Sequence, residues 1–258
     1  MNERFEGIVL FKRPYRERDA LVKIFTSTYG TKMFFVKQAE RANHPLTAQL
    51  IPLTWNHYVG DIHEVGLSFI REGQTAEMFR EIQMDYLKQA YAVYITQLVD
   101  ASVEDNEPNP PLYRLLHQAL NALNKGQCPE IVAIYMEIQL LAQFGTQIDW
   151  QHCVECKETK LQNDFSIVRQ GLLCNAHWHL DQHRLRISPR AMHIASTLAK
   201  ISLTQLQTVN ISEQTIAELR RLMDELYQEY VGIRLKSKSY LNQLRNMQQL
   251  MKRPPTEQ

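Results

Sequence analysis

Cysteine is scarce in this chain, four among 258 residues, and one of the four, Cys128, stands apart from the rest. So few cysteines exclude a disulfide framework of the kind that staples small secreted domains, and the natural home is a reducing cytoplasm. Long apolar runs are missing too. None approaches the roughly 18 residues of a membrane-spanning helix, and the opening MNERFEGIVLFKRPYRERD interrupts its short apolar stretch with charge too soon for a signal peptide. The expectation is a soluble protein with no membrane partner. There is no G-x-x-x-x-G-K-[ST] loop, no G-x-S-x-G elbow and no H-E-x-x-H helix, so ATP hydrolysis and the commonest hydrolase chemistries find no site. Disorder is excluded by 44% hydrophobic against 22% charged residues, and the length suits two domains or one large one.

Net charge is only +1, but its distribution is uneven. Residues 1–41 hold nine Lys or Arg against five acids; residues 231–255 hold Arg234, Lys236, Lys238, Arg245, Lys252 and Arg253 and no acid. Between them, Asp100–Glu107 carries four acids and no base. Basic ends of this kind are the electrostatic footprint expected of a polyanion binder.

The other three cysteines fall in one stretch, 150–186, as Cys153-x2-Cys156 followed by Cys174-x2-His177. Zinc takes four N or S donors in a tetrahedron, and an x2 spacing lets one tight turn aim two side chains at one point. The segment Lys157–Leu173 has the length for a short β-hairpin joining two such knuckles. The expected set is Cys153, Cys156, Cys174 and His177; His179, His183 and His152 are alternative fourth donors. With every position filled by protein the ion is structural. The plain alternative is a group of reduced cysteines packing as small apolar side chains.

From Phe5 to about Gly73 the periodicity is that of short strands: Phe5–Phe11, Ala20–Thr26, Thr31–Lys37, Leu53–Val59 alternating on Leu53, Trp55 and His57, and Glu64–Arg71, with turns at RPYRERD and STYG. Five short strands without a long intervening helix predict a small closed barrel, an OB-fold, with an SH3-like barrel as the alternative. Lys12, Arg13, Arg16 and Arg18 decorate its first loop, Lys32 and Lys37 flank the third strand, and Arg41 follows. Tyr15, Tyr29, Phe34 and Phe35 interleave with these cations. Phe34 and Phe35 are adjacent and point to opposite faces of a strand, so at most one can stack on a base.

Past Gly73 the period becomes helical: Ala76–Val103 with a break near Asp85, a stop at EDNEPNPP, then Leu112–Leu123 and Pro129–Phe144 ending at Gly126 and Gly145. These read as an antiparallel helical bundle. Ser188 before Pro189 predicts a capped helix through Ala199, and Ser212 caps a last long helix whose stripe runs from Ile216 to Ile233. Arg234 and Lys236 then sit at that helix's C-terminus, where the macrodipole favours them. The chain is thus α+β and multidomain: an N-terminal OB-fold over 1–75 and a helical domain over 76–258 with an inserted zinc-ribbon-like element at about 150–186.

Three pieces together resemble the RecO family of bacterial recombination mediators: the opening GIVLFKRPYRERDALVKIFTSTYGTKMFFVK, the C-x2-C and C-x2-H insert after a helical region, and the closing YVGIRLKSKSYL. The likeness covers nearly the whole chain. His177 departs from the cysteine more usual there and leaves the donor count intact. The resemblance implies a non-enzymatic DNA repair protein that binds single- and double-stranded DNA, anneals complementary strands and helps a recombinase replace single-strand binding protein. It implies RecR, the acidic C-terminal tail of single-strand binding protein, and RecF as partners, a cytoplasmic, nucleoid-associated location and one structural zinc. Combined with the charge pattern, it makes Lys12, Arg13, Arg16, Arg18, Lys23, Lys32, Lys37 and Arg41 the expected phosphate contacts. The competing classes are a zinc-dependent enzyme using His177, His179, Asp181 and His183, and a transcription regulator reading base edges.

Overall fold

A computed structural model describes residues 2–159, 162–206 and 211–252. The chain divides into two compact units, residues 1–126 with 235–258, and residues 127–234.

The first unit opens with a closed barrel of five strands: β1 (Glu3–Tyr15), β2 (Asp19–Thr26), β3 (Gly30–Val36), β4 (Trp55–Asp61) and β5 (Ser68–Glu77). Their order around the barrel is β1-β2-β3-β5-β4, the OB arrangement expected of the sequence. β1 closes it. Glu3–Ile8 pair with β4 (Glu3 opposite Gly60) and Gly7–Tyr15 with β2 (Tyr15 opposite Asp19), Gly7 and Ile8 pairing on both sides, and the β2 ladder shifts register between Val9 and Phe11. β3 and β5 meet in parallel over only two pairs, Phe34 with Ser68 and Phe35 with Phe69. Inside, Phe5 stacks on Phe34 and on Tyr58, each at 5.4 Å, among Val9, Val22, Ile24 and Val36.

Three strands differ from their sequence reading, β1 among them, since it continues past Phe11 to Tyr15 through part of the expected turn. β4 has the opposite phase: Asn56 and Tyr58 are buried, while Trp55 and His57 face outward. Asn56 tolerates the interior because its amide donates to Thr54 Oγ1 at 2.8 Å and Tyr58 Oη at 2.9 Å. Trp55 turns out to meet His117, ring centroids 4.4 Å apart. β5 begins at Ser68 rather than Glu64 and runs on to Glu77, past the point where a helix was expected to have started at Ala76. Its polar residues hid it, since it is held by backbone pairing with β4 rather than by an apolar face.

Helices α1 (Arg80–Met84), α2 (Tyr86–Ala101), α3 (Pro110–Asn124) and α7 (Lys236–Lys252) complete this unit. The break near Asp85 is real: Asp85 is the N-cap of α2, accepting from the N–H groups of Leu87 and Lys88. Asn109 caps α3 in the same way ahead of Pro110 and Pro111. The acidic stretch after α2 is part of the fold rather than a free linker. Lys23 Nζ lies 2.6 Å from Asp100 Oδ1 and 2.8 Å from Asp105 Oδ1. Thr31 donates to Asp105 at 2.8 Å, and Asn106 N–H donates to the Thr31 carbonyl at 2.9 Å. Gly30 makes the close approach feasible: it has φ +69°, and a Cβ there would run into the carbonyl of Glu107.

This clamp has a pH signature. Burial alone raises the Asp105 pKa, but hydrogen bonds from Lys23 and Thr31 outweigh it and hold the carboxyl below its ordinary value. A depressed folded pKa adds stability that is full above the unfolded value and disappears as pH falls through the folded one. Asp105→Asn is therefore expected to lower the urea midpoint at pH 7, and the gap from the unchanged protein should close below about pH 4. A gap that stays constant across that range would remove Asp105 from the acid-sensitive set.

The second unit holds α4 (Pro129–Leu140), the hairpin β6 (Asn163–Ser166) with β7 (Gly171–Cys174), α5 (Pro189–Leu198) and α6 (Glu213–Leu226). α4 is buried on nearly every side. Ser188 and Ser212 cap α5 and α6 as their sequences indicate. The end of α6 differs from the reading. It passes into one π turn at Tyr227–Val231 and stops at Gly232, φ +71°. Lys236 is then the first residue of α7, not a cation at the end of α6, so the macrodipole gives it no stabilisation there. Arg253 lies outside the described residues.

Candidate metal centre and nucleic-acid interface

The hairpin exists to bring two turns together. β6 and β7 are four residues each, too short to stand alone. Cys153 N–H donates to the Glu158 carbonyl and Lys157 N–H to the Cys153 carbonyl, which curls the first knuckle; Val154 N–H donates to Leu172 and docks it on β7. The second knuckle leaves the end of β7 as a short 3-10 turn over Asn175–Leu180. Cys153, Cys156, Cys174 and His177 then have one donor atom each within 4.8 Å of one another.

The separations have the right size. A tetrahedral ion with metal–sulfur bonds of about 2.3 Å places its sulfurs about 3.8 Å apart and a ring nitrogen slightly closer. Cys156 and Cys174 sulfurs are 3.9 Å apart, and His177 Nδ1 is 3.6 Å from Cys153 and 3.2 Å from Cys174. His179 and His183 are outside this group, and His152 is engaged with Asp149 at 2.8 Å. The four can hold one metal ion with no position left open.

The electrostatics favour a cation. Burial raises the Cys153 pKa, but N–H groups of Cys156, Cys174 and Glu155 and the His177 ring pull it down to about 6. Cys174 goes the other way: its burial and the neighbouring sulfurs of Cys153 and Cys156 push it up. Cys153 and Cys174 are thus pushed in opposite directions, and a divalent ion bound between them would favour the thiolate of both.

Sequence reading missed Asp164 and gave Asp181 a different role. Asp164 is buried and accepts from the N–H groups of Phe165, Arg186 and Ile187; Arg184 Nε lies 3.1 Å from its Oδ2. Asp181, expected in the enzyme reading as a metal-side group, accepts instead from Ser166 Oγ at 2.6 Å and from His183 N–H. Arg184 lies over the Trp178 ring, 4.8 Å from its centroid, and Trp178 Nε1 donates to the Leu173 carbonyl. An isolated acid beside a knuckle gives no sequence signal of this kind.

On the barrel, the expected cations separate into two sets. Arg13, Arg16, Arg18, Lys37 and Arg41 are exposed, and Lys12 is half-buried in a pair with Glu40 at 2.8 Å. Lys12 and Arg13 lie at the end of β1, opposite Val22 and Leu21, rather than in the first loop where the sequence put them; the others sit in two adjacent loops, tied by Glu40 N–H to the Arg18 carbonyl and Gln38 N–H to Asp19 Oδ1. Lys23 and Lys32 are different. Lys23 is 9% exposed inside the acidic clamp, and its bonds to Asp100 and Asp105 outweigh burial and raise its pKa. Lys32 is 4% exposed and donates to the His63 carbonyl at 2.8 Å; burial lowers its pKa.

The aromatics separate in the same way. Phe34 is core and Tyr29 packs edge-on against Phe5. Phe35, however, sits in an outer row: Tyr15 to Phe35 at 6.1 Å, Phe35 to Phe69 at 6.0 Å, and Phe69 to His63 at 5.7 Å, all edge-to-face. Tyr15 and Phe69 are 36% and 40% exposed, and the Arg16 guanidinium lies 5.2 Å from the Tyr15 centroid. Phe69 and His63 were not singled out in the sequence; the alternation Phe69–Arg71 in β5, with Ile70 turned inward, was the available signal.

Two family models match the chain, meeting just past the end of the barrel. The family described as Recombination protein O N terminal matches residues 1–79, and the one described as Recombination protein O C terminal matches residues 83–239. The chain is 43% identical to the DNA repair protein RecO of Enterococcus faecalis, over 97% of this chain and 95% of the relative. It is 41% identical to that of Lactiplantibacillus plantarum, over 93% of each, and 40% identical to that of Levilactobacillus brevis, over 98% and 97%. The two family matches together, and each of these relatives, span nearly the whole chain, so the chain belongs to the recombination protein O (RecO) family.

Proposed function

We propose that this chain is a non-enzymatic recombination mediator in DNA repair. It binds single- and double-stranded DNA, anneals complementary strands and helps load a recombinase onto DNA coated by single-strand binding protein. Its partners on this reading are RecR, the acidic tail of single-strand binding protein, and RecF, in the cytoplasm. The observation that carries it is the row Tyr15–Phe35–Phe69 beside the cations at the end of β1 and in the two loops next to it, on the outside of the barrel. Stacked bases contribute about 1–3 kcal/mol each and are read without regard to sequence. Annealing needs no catalytic group, because neutralising two backbones removes the repulsion that slows pairing.

Lys12, Arg13, Arg16, Arg18, Lys37 and Arg41 provide the phosphate contacts. Lys23 and Lys32 leave the expected set, since breaking their buried partnerships would cost more than an exposed contact returns. The ion held by Cys153, Cys156, Cys174 and His177 is a zinc; it orders the second unit and takes no part in chemistry. No helix among the described residues is long and apolar enough to cross a membrane. On this reading the five barrel strands, through Glu77, carry the first DNA strand.

The test is binding of a labelled mixed-sequence single strand across a salt series, followed by addition of its complement. Six phosphate contacts at about 0.7 each give a log–log salt slope near −4, with duplex formation faster than without protein. No binding at low salt would sink the reading.

A further inference from the structure

From Gln182 to Ser212 the chain contains no acid, yet it carries Arg184, Arg186, Arg190 and Lys200. Neither the barrel nor the metal group accounts for this run. Arg184 is committed to Trp178 and Asp164. The other three are exposed.

Their placement is fixed by the second unit. α5 buries Ala191, Met192, Ala195 and Leu198. Helical spacing therefore turns Arg190 and His193 outward, and Lys200, seven residues past His193 in a turn closed by Lys200 N–H on the Thr197 carbonyl, falls on the same side. At the other end, Asp164 holds Arg186 by its N–H in a left-handed conformation, φ 54°. Arg221 of α6 reaches over and donates to the Arg186 carbonyl at 3.2 Å. Glu218, one turn before Arg221, is occupied by Ser188 N–H at 2.8 Å. Among the described residues, Arg186, Arg190, Lys200 and Arg221 take part in no ion pair.

Arg186, Arg190 and Lys200 stand on a run with no acid of its own and form no ion pair among the described residues, so the surface suits an anion from outside. Ten residues separate Arg190 from Lys200, about 15 Å along the helix, which is a line of charge for a chain of phosphates rather than a pocket for one. We propose that the outward face of α5, with Arg186 and Arg221, is a second phosphate-binding surface that takes the complementary strand while the barrel holds the first. The assignment rests on the reading that the barrel binds DNA, and it supplies what annealing requires: separate places for two strands.

The experiment uses the full chain with Arg186→Gln, Arg190→Gln and Lys200→Gln combined, after checking that its melting temperature and metal content are unchanged. Binding of the first oligonucleotide should stay within about twofold, while pairing with the added complement slows by on the order of tenfold and its salt slope falls by about 2, three contacts at about 0.7 each. The charge-keeping set Arg186→Lys, Arg190→Lys and Lys200→Arg should pair at the unchanged rate. Pairing as fast as the unchanged protein in the Gln set, with first-strand binding intact, overturns this surface alone; so does a Lys/Arg set as slow as the Gln set. Failure of the unchanged protein to bind the first strand overturns the barrel reading and this one with it.

Discussion

Cys153→Ser is expected to lose its metal and to give the largest loss of stability of any single change near the knuckles. The apolar cluster there is small, Cys153, Leu173 and Cys174 with Val154, Cys156 and Trp178, and the two strands that support it are four residues each. Trp150, Phe165, Leu172 and Ile187 are buried as well, but the two turns that carry the ligands have only this small cluster to hold them. Structural zinc in small modules contributes about 10–16 kcal/mol of apparent binding energy at pH 7, and that energy is folding energy. Serine removes one thiolate and leaves three donors around an open position. The expected outcome is less than one ion per chain by elemental analysis and a thermal transition lowered by well over the shift from Cys128→Ser. Cys128 is the proper control: it caps no ion, its thiol is pushed up by burial and it lies 3.4 Å from Glu130. A Cys153→Ser protein that keeps both its ion and its melting point would take Cys153 out of the ligand set.

Replacing Lys12, Arg13, Arg16 and Arg18 together by Glu should do the opposite, leaving stability almost alone and removing DNA binding. Arg13, Arg16 and Arg18 are exposed, and the one ion pair lost, Lys12 with Glu40, is a surface pair worth about 0–1 kcal/mol. Four phosphate contacts are lost at once, and four acids now face the strand. Affinity for a single strand at low salt should fall by on the order of a hundredfold or more, and the log–log salt slope by about 3. Titration at several salt concentrations reads both numbers. Unchanged affinity and slope would make the end of β1 and the loop after it a solvated surface and move the interface elsewhere.

The sequence disclosed the barrel through strands whose two faces differ, and it failed where they do not. β2 and β3 alternate core residues such as Val22, Ile24 and Phe34 with others, and both were placed to within about a residue. β5 reads SFIREGQTAE and was misplaced, because its place is set by pairing with β4 and no apolar stripe announces it. The same blindness hid Phe69 and therefore the length of the aromatic row. The metal group was legible because ligand spacing is local: two x2 knuckles state their geometry within four residues each. Choosing His177 over His179 and His183 required the fold, since all three follow Cys174 within ten residues and only His177 turns its ring toward the sulfurs. Lys23 shows the limit most clearly. Its partners lie 77 and 82 residues away in the chain, and no local pattern separates a cation destined for phosphate from one that two carboxylates will bury.

Helix α7 belongs with the barrel although residues 127–234 come between them. Lys238 lies 5.0 Å from the Tyr94 ring centroid, and Arg245 lies over Tyr91 and donates to its hydroxyl at 2.8 Å. During synthesis the barrel and α1–α3 leave the ribosome first, but their last helix arrives only after the entire second unit has been made. At elongation speeds of about 5–20 residues per second, the 108 residues of that unit impose a delay of several seconds. For that interval the nascent first unit displays the α2 surface around Tyr91 and Tyr94 to solvent, so a chain stalled before α7 has emerged would present a barrel beside a flank that stays bare.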